Sequence, residues 1–412
     1  MSPTPVSPTP VSPTPPGALD GVRVVDLSTI LMGPYGARIL GDHGADVIRI
    51  ESLDGDSVRN TLPARNPQMS GLALNLQRNK RSVALDLKTP GGRDAAFAIM
   101  TSADVVVTNM RRAALARLGL DDATVRAAHP GLIYCTANGY GSGGPYADRP
   151  AYDDAIQAGS GISWLVEQVS GAPGYFPSIV ADKVCGMTIA QSVLAALVHK
   201  LRTGEGQTIE VPMLETMVAF NLIEHFRGAA FEPPEGEIGY DRLLTPFRRP
   251  FRTADGAAAL LPYNDRHWRD FFRIAGRAEL ADDPRFVDHN SRIANVHELY
   301  GLVDELAPRF TTAEWLARCE EASIPASAVL DLAHLAEDAH LRAVGMIEVH
   351  EHPSEGAYRY LREGPALDAT PMGLRRHAPR LGEHTSEVLA EVGYDAETTA
   401  ALVASGAAAQ AV

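Results

Sequence analysis

Residues 22–51, VRVVDLSTILMGPYGARILGDHGADVIRIE, contain two short β-branched runs separated by a segment of helical character. The runs VRVVDL and ADVIRIE predict strands, because valine and isoleucine fit the pleated surface of a sheet. The apolar residues between Pro34 and His43 recur at helical spacing and predict a helix. A strand, a helix and a second strand in this order indicate a parallel βαβ unit.

The same alternation continues along the chain. Helices are predicted from Pro90 to Ser102, with Thr89 as the N-cap, and from Asp122 to Ala128. The runs ADVVVTN and LIYCTAN predict further strands. The fold class is therefore α/β, with an open parallel Rossmann-like sheet in a large domain, and the ligand-bearing loops are expected at the carboxyl ends of its strands.

The pattern changes after Glu224, where a polar, Pro-rich stretch leads to FRTADGAAALLPYND, two strand-like runs around a turn at Asp255-Gly256. A second, smaller α+β domain is predicted to begin here and to include a helix from Thr312 to Ala322. We predict four regions: a Pro-rich disordered tail at 1–17, a large α/β domain at 18–225, a small domain at 226–334 and a C-terminal segment at 335–412.

Composition limits the functional classes. The 412 residues include 51 acidic and 37 basic side chains, so the net charge of −14 disfavours nonspecific binding to nucleic acid or to an anionic membrane. Cys135, Cys185 and Cys319 are too few and too scattered for a disulfide framework or a zinc site. The N-terminus repeats VSPTP without a signal-peptide pattern, and no run approaches the ~18 apolar residues that span a bilayer. We expect a soluble cytoplasmic protein.

The stretch PSIVADKVCGMTIAQSVLAALVHKLRTGEGQTIEV, residues 177–211, places one carboxylate where a long apolar helix begins. The helix is predicted from Gly186 to Leu201, with Thr203-Gly204 closing it, so Asp182 lies at or just before the first turn. The free N–H groups and the helix dipole there favour an ionised carboxylate, the form that a nucleophile needs. The alternative is that Asp182 is only an N-cap.

This segment resembles the signature of the class III CoA-transferases, the formyl-CoA and carnitine (CaiB/BaiF) type, a family that includes alpha-methylacyl-CoA racemase. The likeness runs from about Leu19 to the C-terminus and recurs in the blocks DLSTILMGPYGARILGDHGADVIRIE, NKRSVALDLKTPGGR, GYGSGGPYADRPAYDDAIQAGSG and RLGEHTSEVL. The resemblance implies transfer of CoA from an acyl-CoA to a carboxylic acid, with no permanently bound cofactor. It also implies that the C-terminal segment returns to the large domain and that two chains form an interlocked homodimer.

The resemblance further implies a set of site residues. Asp182 is the catalytic residue and forms an aspartyl anhydride and then an aspartyl-CoA thioester. The CoA contacts are Lys80, Arg81, Asn109, Met110 and Arg117, and the substrate pocket includes Leu31, Tyr140, Tyr152, Gly139 and Gly141. Without the resemblance, the basic residues among these are better explained as a solvated charged face.

Several alternatives remain. Gly139, Gly141 and Gly144 satisfy GxGxxG, but Pro145 follows where a helix should open, which argues against a dinucleotide site. A racemase needs two acid/base groups, and Tyr152, with a phenol pKa near 10, stands where the racemase branch has its His. A catalytically silent CoA-binding protein is a third possibility.

The remaining candidate residues concern the acceptor acid and metal ions. An apolar Leu31 with two tyrosines nearby favours a larger or less polar acid than formate or oxalate. Alternatively, the acid is a dicarboxylic acid whose second carboxylate binds to Arg242, Arg248 and Arg249. No metal site is expected, because His350 and His352 lack a third and a fourth ligand.

Overall fold

The computed structural model describes residues 15–411, so the predicted tail at 1–17 lies outside the described residues except for its last three. The chain divides into two compact units. Unit 1 comprises residues 15–156, Ile179–Met217 and residues 339–411, and unit 2 comprises Gln157–Ser178 and Val218–Asp338. Unit 2 thus includes residues 157–178 and 218–225, which the sequence analysis assigned to the large domain, and residues 335–338, which it assigned to the C-terminal segment.

The described residues form twelve strands. These are β1 Arg23–Leu27, β2 Asp46–Glu51, β3 Lys80–Leu85, β4 Val105–Thr108, β5 Ile133–Asn138, β6 Thr208–Pro212, β7 Phe251–Arg252, β8 Ala257–Leu260, β9 Ala326–Ala328, β10 Ile347–His352, β11 Gly356–Leu361 and β12 Ala408–Ala409. The four strands predicted in the first 140 residues are β1, β2, β4 and β5, and all four are confirmed.

The same residues form seventeen α-helices and five 3-10 helices. The α-helices are α1 Met32–Asp42, α2 Gly71–Leu76, α3 Pro90–Thr101, α4 Arg112–Leu118, α5 Asp122–Ala128, α6 Asp153–Gly159, α7 Ile162–Ser170, α8 Val180–Thr203, α9 Met213–His225, α10 Asp241–Leu244, α11 Asp265–Ile274, α12 His289–Ala294, α13 Val296–Leu306, α14 Thr312–Glu321, α15 Ala339–Ala343, α16 Thr385–Glu391 and α17 Ala396–Ala404. The 3-10 helices are Ser57–Asn60, Arg227–Ala230, Ala278–Asp282, Ala307–Arg309 and Leu335–Glu337.

Unit 1 is built on a seven-stranded sheet in the order β12-β3-β2-β1-β4-β5-β6. Strands β1 to β6 run parallel, whereas β12 is antiparallel to β3. From β1 to β3, each new strand is added on one side of β1. From β4 to β6, each new strand is added on the other side. This doubly wound order confirms the predicted open Rossmann-like sheet, and it puts the topological switch point between β1 and β4, where such sheets bind ligands.

Two helices of unit 1, α1 and α8, approach closely because glycines face each other. A Cβ added to Gly36 would lie 2.8 Å from Ile189 Cγ2, and one added to Gly186 would lie 2.7 Å from Tyr35 Cδ1. Helix α8 begins at Val180, ahead of the predicted start, and ends as expected at Gly204, which adopts a left-handed conformation with a φ of 80°. Its first turn therefore contains Asp182.

Helix α8 is also the one helix among residues 15–411 that is long and apolar enough, by length and composition, to cross a membrane. The sequence analysis found no such run. The core helix of a soluble protein passes the same test, and α8 packs against α1, β5 and β6. Packing within unit 1 thus explains the buried apolar residues of α8, such as Ile189, Val193 and Leu197, whereas Met187, Val198 and Leu201 are exposed.

Unit 2 combines a three-stranded antiparallel sheet, β7-β8-β9, with helices around an aromatic core. The predicted turn at residues 255 and 256 joins β7 and β8. Phe271 stacks on Trp315 with ring centroids 5.3 Å apart, and the Trp315 indole N–H donates to the carbonyl of Ala307 at 2.7 Å. The predicted helix from Thr312 is α14, which a capping box between Thr311 and Glu314 begins.

Under the carboxyl half of the sheet in unit 1 lies a network of six charged side chains that water hardly reaches. Arg49 Nη1 lies 2.8 Å from Asp26 Oδ2, and Arg49 Nη2 lies 2.6 Å from Asp56 Oδ2. The members are three cations and three carboxylates: Arg49, Arg59, Lys80, Asp26, Glu51 and Asp56. Equal numbers of both signs keep this buried network neutral, which limits the cost of removing the charges from water.

Lys80 and Arg81, which the resemblance names as CoA contacts, do not lie in a loop at the carboxyl edge of the sheet, where the sequence analysis expected ligands. They begin β3 and therefore lie at its amino end, not at the carboxyl edge where ligands bind. Lys80 is fully buried, with Nζ 2.9 Å from Asp26 Oδ2. The buried Arg81 pairs with Asp46 and Glu391, at 2.6 Å each. In this structure both side chains serve ion pairs that hold the fold together.

We predict that Arg49→Met lowers the free energy of unfolding by about 3–5 kcal/mol, because three buried carboxylates lose their shared cation. Arg359→Met is the matched control. It removes an exposed arginine of β11 in the same unit, and its effect is expected to stay within about 0.5 kcal/mol. Urea unfolding followed by circular dichroism measures both changes, and equal effects of the two substitutions would contradict the prediction.

Candidate active site

At the carboxyl edge of the sheet in unit 1 lies a cavity of about 220 Å³, which we call the first cavity. Loops that follow β1, β4 and β5 and the first turn of α8 supply its walls. The structure brings five of the predicted site residues together there: Leu31, Asn109, Gly139, Tyr152 and Asp182. Of the other predicted residues, Tyr140, Gly141 and Arg117 do not line it.

Asp182 is a half-buried carboxylate on the wall of the first cavity. Its backbone N–H donates to Asp153 Oδ1 at 3.0 Å, so the two acidic residues are held side by side. Burial, and then the neighbouring charge of Asp153, raise the pKa of Asp182 from 3.8 to about 6. The sequence analysis expected the helix terminus to favour the ionised form of Asp182. In the structure, burial and the charge of Asp153 oppose that effect and exceed it.

The loop after β1 forms one side of the first cavity and is fixed by two side chains. Asn109 Oδ1 accepts the N–H of Thr29 at 2.9 Å, and Asn109 Nδ2 donates to the carbonyl of Thr29 at 2.9 Å. Asp56 Oδ2 accepts the N–H of Ile30 at 2.8 Å. Ile30 has a φ of 65°, a conformation that β-branched residues rarely adopt, so these contacts keep a strained residue in place.

The glycine-rich loop after β5 supplies the opposite side. A Cβ on Gly139 would lie 2.3 Å from Ala151 Cβ, which explains why a residue without a side chain stands there. Gly141 N–H donates to Glu215 Oε1 at 2.9 Å, and Ser142 N–H donates to Glu210 Oε1 at 2.8 Å. Several donors of this loop are therefore engaged with the acidic residues of the following strand and helix.

The tyrosines of this region have separate positions. Tyr152 lines the first cavity and is 70% exposed. Tyr140 packs edge-on against Tyr146, with ring centroids 5.7 Å apart. The sequence analysis placed both in the substrate pocket, and the structure brings only Tyr152 to the cavity wall.

Three arginines line the first cavity: Arg111, Arg112 and Arg149. The first two follow the ADVVVTN strand, where the sequence places candidate cations for CoA phosphates, whereas Arg149 was not singled out. Arg112 pairs with Glu210, and the guanidinium of Arg149 lies 3.9 Å from the centre of the Tyr146 ring. Arg117 is exposed in the last turn of α4. The wall thus combines three arginines with the acidic Asp148 and Asp182, and one of the arginines, Arg112, is already paired.

A second cavity, of about 470 Å³, adjoins the same edge of the sheet. Residues that follow β1, β2, β3 and β4 line it, and most of its surface is apolar. Met110, a predicted CoA contact, lies on its wall, and Thr29 lines both cavities. Its wall also contains Lys88, an exposed residue that the sequence analysis did not single out although it stands in the NKRSVALDLKTPGGR block.

The remaining candidate residues have structural surroundings. Cys185 is fully buried, and burial together with the charge of Asp182 raises the pKa of its thiol to about 12, so it is not a thiolate near neutral pH. His350 and His352 are buried in the β10–β11 hairpin of unit 1. Within residues 15–411, no three His, Cys, Asp or Glu side chains are arranged to hold a metal ion. Arg242, Arg248 and Arg249 belong to unit 2.

Comparisons with known proteins agree over nearly the whole chain. The model of CoA-transferase family III matches residues 19–385. The succinate–glutarate CoA-transferase of Agrobacterium fabrum is 32% identical over 91% of this chain and 95% of that protein. A succinyl-CoA:mesaconate CoA-transferase of Haloarcula marismortui is 31% identical over 93% and 98%. The crystal structure of a CAIB/BAIF family protein from Brucella suis has 29% identity and a TM-score of 0.77, covering 92% of this chain and 100% of that one.

We predict that Asp182→Asn stabilises the protein at pH 8, by about 1–2 kcal/mol after allowance for partial exposure. The folded-state pKa of Asp182, about 6, lies above its ordinary value of 3.8, so the folded protein loses stability as pH rises between these values. Thermal unfolding should show the gap between variant and wild type at pH 8 and its disappearance towards pH 4. The exposed Asp154→Asn is the control, and an equal pH-dependent gap there would contradict the assignment.

Proposed function

The chain belongs to CoA-transferase family III, and we propose that it moves CoA from an acyl-CoA to a carboxylic acid through a covalent intermediate on Asp182. The observation that carries this proposal is the position of Asp182. It is the half-buried carboxylate in the first turn of α8, on the wall of a cavity at the carboxyl edge of the sheet.

The proposed reaction begins when Asp182 attacks the thioester carbonyl carbon. A C–O bond forms and the C–S bond breaks, which gives an aspartyl anhydride and CoA thiolate. The thiolate then attacks the aspartyl carbonyl, gives an aspartyl-CoA thioester and releases the donor acid. The acceptor carboxylate reverses these steps, so the thioester bond energy is retained and the hard exchange is divided into easier ones.

The raised pKa of Asp182 supports this role. With a pKa of about 6, the carboxylate is ionised at neutral pH, yet burial has removed part of the water that would stabilise it. A poorly solvated anion is a better nucleophile than a fully hydrated one. Asp153 adds to the effect, because it holds a second acidic group beside the first.

We place the nucleotide end of CoA in the second cavity and the thioester in the first. The second cavity has the volume and the apolar lining of a ligand pocket, and it follows the strands next to the switch point. Asn109 lines the first cavity, and the next residue, Met110, lines the second. We therefore place the pantetheine arm over these two residues.

The wall of the second cavity contains two cations, Arg49 and Lys88, beside four acidic residues: Glu51, Asp54, Asp56 and Asp86. Arg49 is already paired with Asp26 and Asp56, so the exposed ammonium of Lys88 is the cation that we propose faces the phosphate groups.

The acceptor we propose to test first is a small dicarboxylic acid. Relatives are named for succinate, glutarate and mesaconate. The first cavity supports this choice, because Arg111, Arg112 and Arg149 line it and a guanidinium binds a carboxylate with two parallel hydrogen bonds.

The assembly and the location of the protein are also proposals. By its resemblance to the family we propose an interlocked homodimer in the cytoplasm, without a permanently bound cofactor. The remaining predicted residues of the pocket and the CoA site, Tyr140, Gly141 and Arg117, keep their proposed roles for the assembled dimer. Size-exclusion chromatography with light scattering tests the dimer directly.

Lys88→Gln should raise the dissociation constant for CoA by about three- to tenfold, because a cation facing the phosphates is lost. The effect should shrink at high salt, which screens exposed charges. Isothermal titration calorimetry at two salt concentrations measures it. The exposed Arg359→Gln, on β11, is the charge-matched control and should leave the affinity unchanged. Equal affinities of Lys88→Gln and wild type would contradict the placement of CoA.

Asp182→Ala and Asp182→Asn should each lower CoA transfer by about 10³-fold or more while CoA binding persists, because neither side chain forms the anhydride. Wild-type protein incubated with succinyl-CoA and then with hydroxylamine or borohydride should carry a donor-dependent modification at Asp182, detected by peptide mass spectrometry. The exposed Asp154→Ala serves as the control for loss of an aspartate nearby.

The same samples distinguish the alternatives. Near-normal turnover of either Asp182 variant would end the covalent mechanism. Exchange of the α-proton of an acyl-CoA into deuterated water, without an adduct at Asp182, would instead support a racemase. Binding of CoA with neither signal would support a silent CoA-binding protein.

A further inference from the structure

Asn138, the last residue of β5, has a polar group without a partner in the first cavity. It lines the cavity wall together with Asp182. Its side-chain nitrogen Nδ2 is buried and makes no hydrogen bond with any described residue. A buried donor without an acceptor costs about 1–3 kcal/mol, and its presence in a folded protein calls for a reason.

The neighbours of Asn138 explain why the protein itself does not satisfy this donor. In the ladder between β5 and β6, Asn138 stands opposite Pro212, the residue at which β6 ends. The adjoining wall is made of Ala137, Gly139 and Ala151, whose side chains carry no acceptor. Asn138 and Asp182 line the same cavity and are not bonded to each other. The cavity that they share therefore has space for a reacting group.

Several other donors near the cavity are already engaged. Among the N–H groups of the glycine-rich loop, Gly141 donates to Glu215, and Ser142 donates to Glu210. Gly144 donates within the loop to the carbonyl of Gly141, at 3.3 Å. The amide of Asn109 is bonded to Thr29 on both its atoms. Three N–H groups of the loop are therefore already bonded within the protein, whereas Nδ2 of Asn138 is not.

We propose that the side-chain amide of Asn138 donates a hydrogen bond to the oxyanion formed when Asp182 attacks the thioester carbonyl. This inference rests on the proposed function. In that step a C–O bond forms to the carbonyl carbon, and the π electron pair moves onto the carbonyl oxygen. Asn138 stabilises this negative oxygen until the pair returns, the C–S bond breaks and the thiolate leaves.

An asparagine is chemically suited to this task. Its amide stays neutral at every pH in which the enzyme is folded, so it donates to a developing anion without competing as a base. The torsion that orients its amide is soft, so a small rotation aligns the N–H with an acceptor that enters the cavity. A donor aimed at the site of developing charge contributes more in the transition state than in the ground state.

The test compares Asn138→Leu, which keeps the approximate shape without a donor, with Asn138→Asp, which replaces the donor by an acceptor. With a succinyl-CoA donor, kcat of Asn138→Leu should fall about 100-fold, and KM should change less than about threefold. The kcat of Asn138→Asp should fall further than that of Asn138→Leu, because a second negative charge repels the oxyanion. The melting temperature of Asn138→Leu should stay the same or rise, because no hydrogen bond of the folded protein is lost.

Two outcomes overturn the inference. One is a kcat of Asn138→Leu within about threefold of wild type, and the other is a loss that appears only in KM, which would indicate ground-state binding. If Asn138→Leu fails to fold, the kcat of Asn138→Asp decides by the same criterion. An Asp182 adduct in wild type keeps the proposed function intact in either case, whereas its absence in wild type would reject the proposed function itself.

Discussion

The buried guanidinium of Arg49 is the interaction on which the sheet and the first cavity both depend. It joins Asp26 of β1 to Asp56 beyond β2, at 2.8 and 2.6 Å. Asp56 in turn holds the N–H of Ile30, the residue with a φ of 65° on the cavity wall. Because an unpaired buried charge costs several kcal/mol, this network has to be complete, and its completeness fixes the loop after β1 in one conformation.

The state of Asp182 results from two opposing effects. The first turn of a helix favours an anion by about 0.3–1 kcal/mol, which is less than one pKa unit. Burial and the charge of Asp153 act in the other direction, and they raise the pKa to about 6. Desolvation therefore exceeds the helix dipole here. The result suits a nucleophile, since the carboxylate is charged at neutral pH and is not fully solvated.

Charge is distributed unevenly over this acidic chain. The net charge is −14, yet Arg111, Arg112 and Arg149 line the first cavity and Lys88 lines the second. An overall negative surface repels anions, whereas local cations in a cavity concentrate them. The first cavity therefore has three arginines on its wall beside Asp148 and Asp182, whereas the wall of the second has more acidic than basic residues.

The sequence by itself determined the parallel sheet, the N-cap Thr89 and the place of Asp182 at the start of α8, because periodicity, caps and β-branched runs act locally. Only the tertiary structure decided that Lys80 is buried against Asp26, 54 residues away, and that Asn138 keeps a donor without a partner. A sequence names the ionisable and polar groups. Their partners, burial and pKa depend on which distant segments the fold brings together.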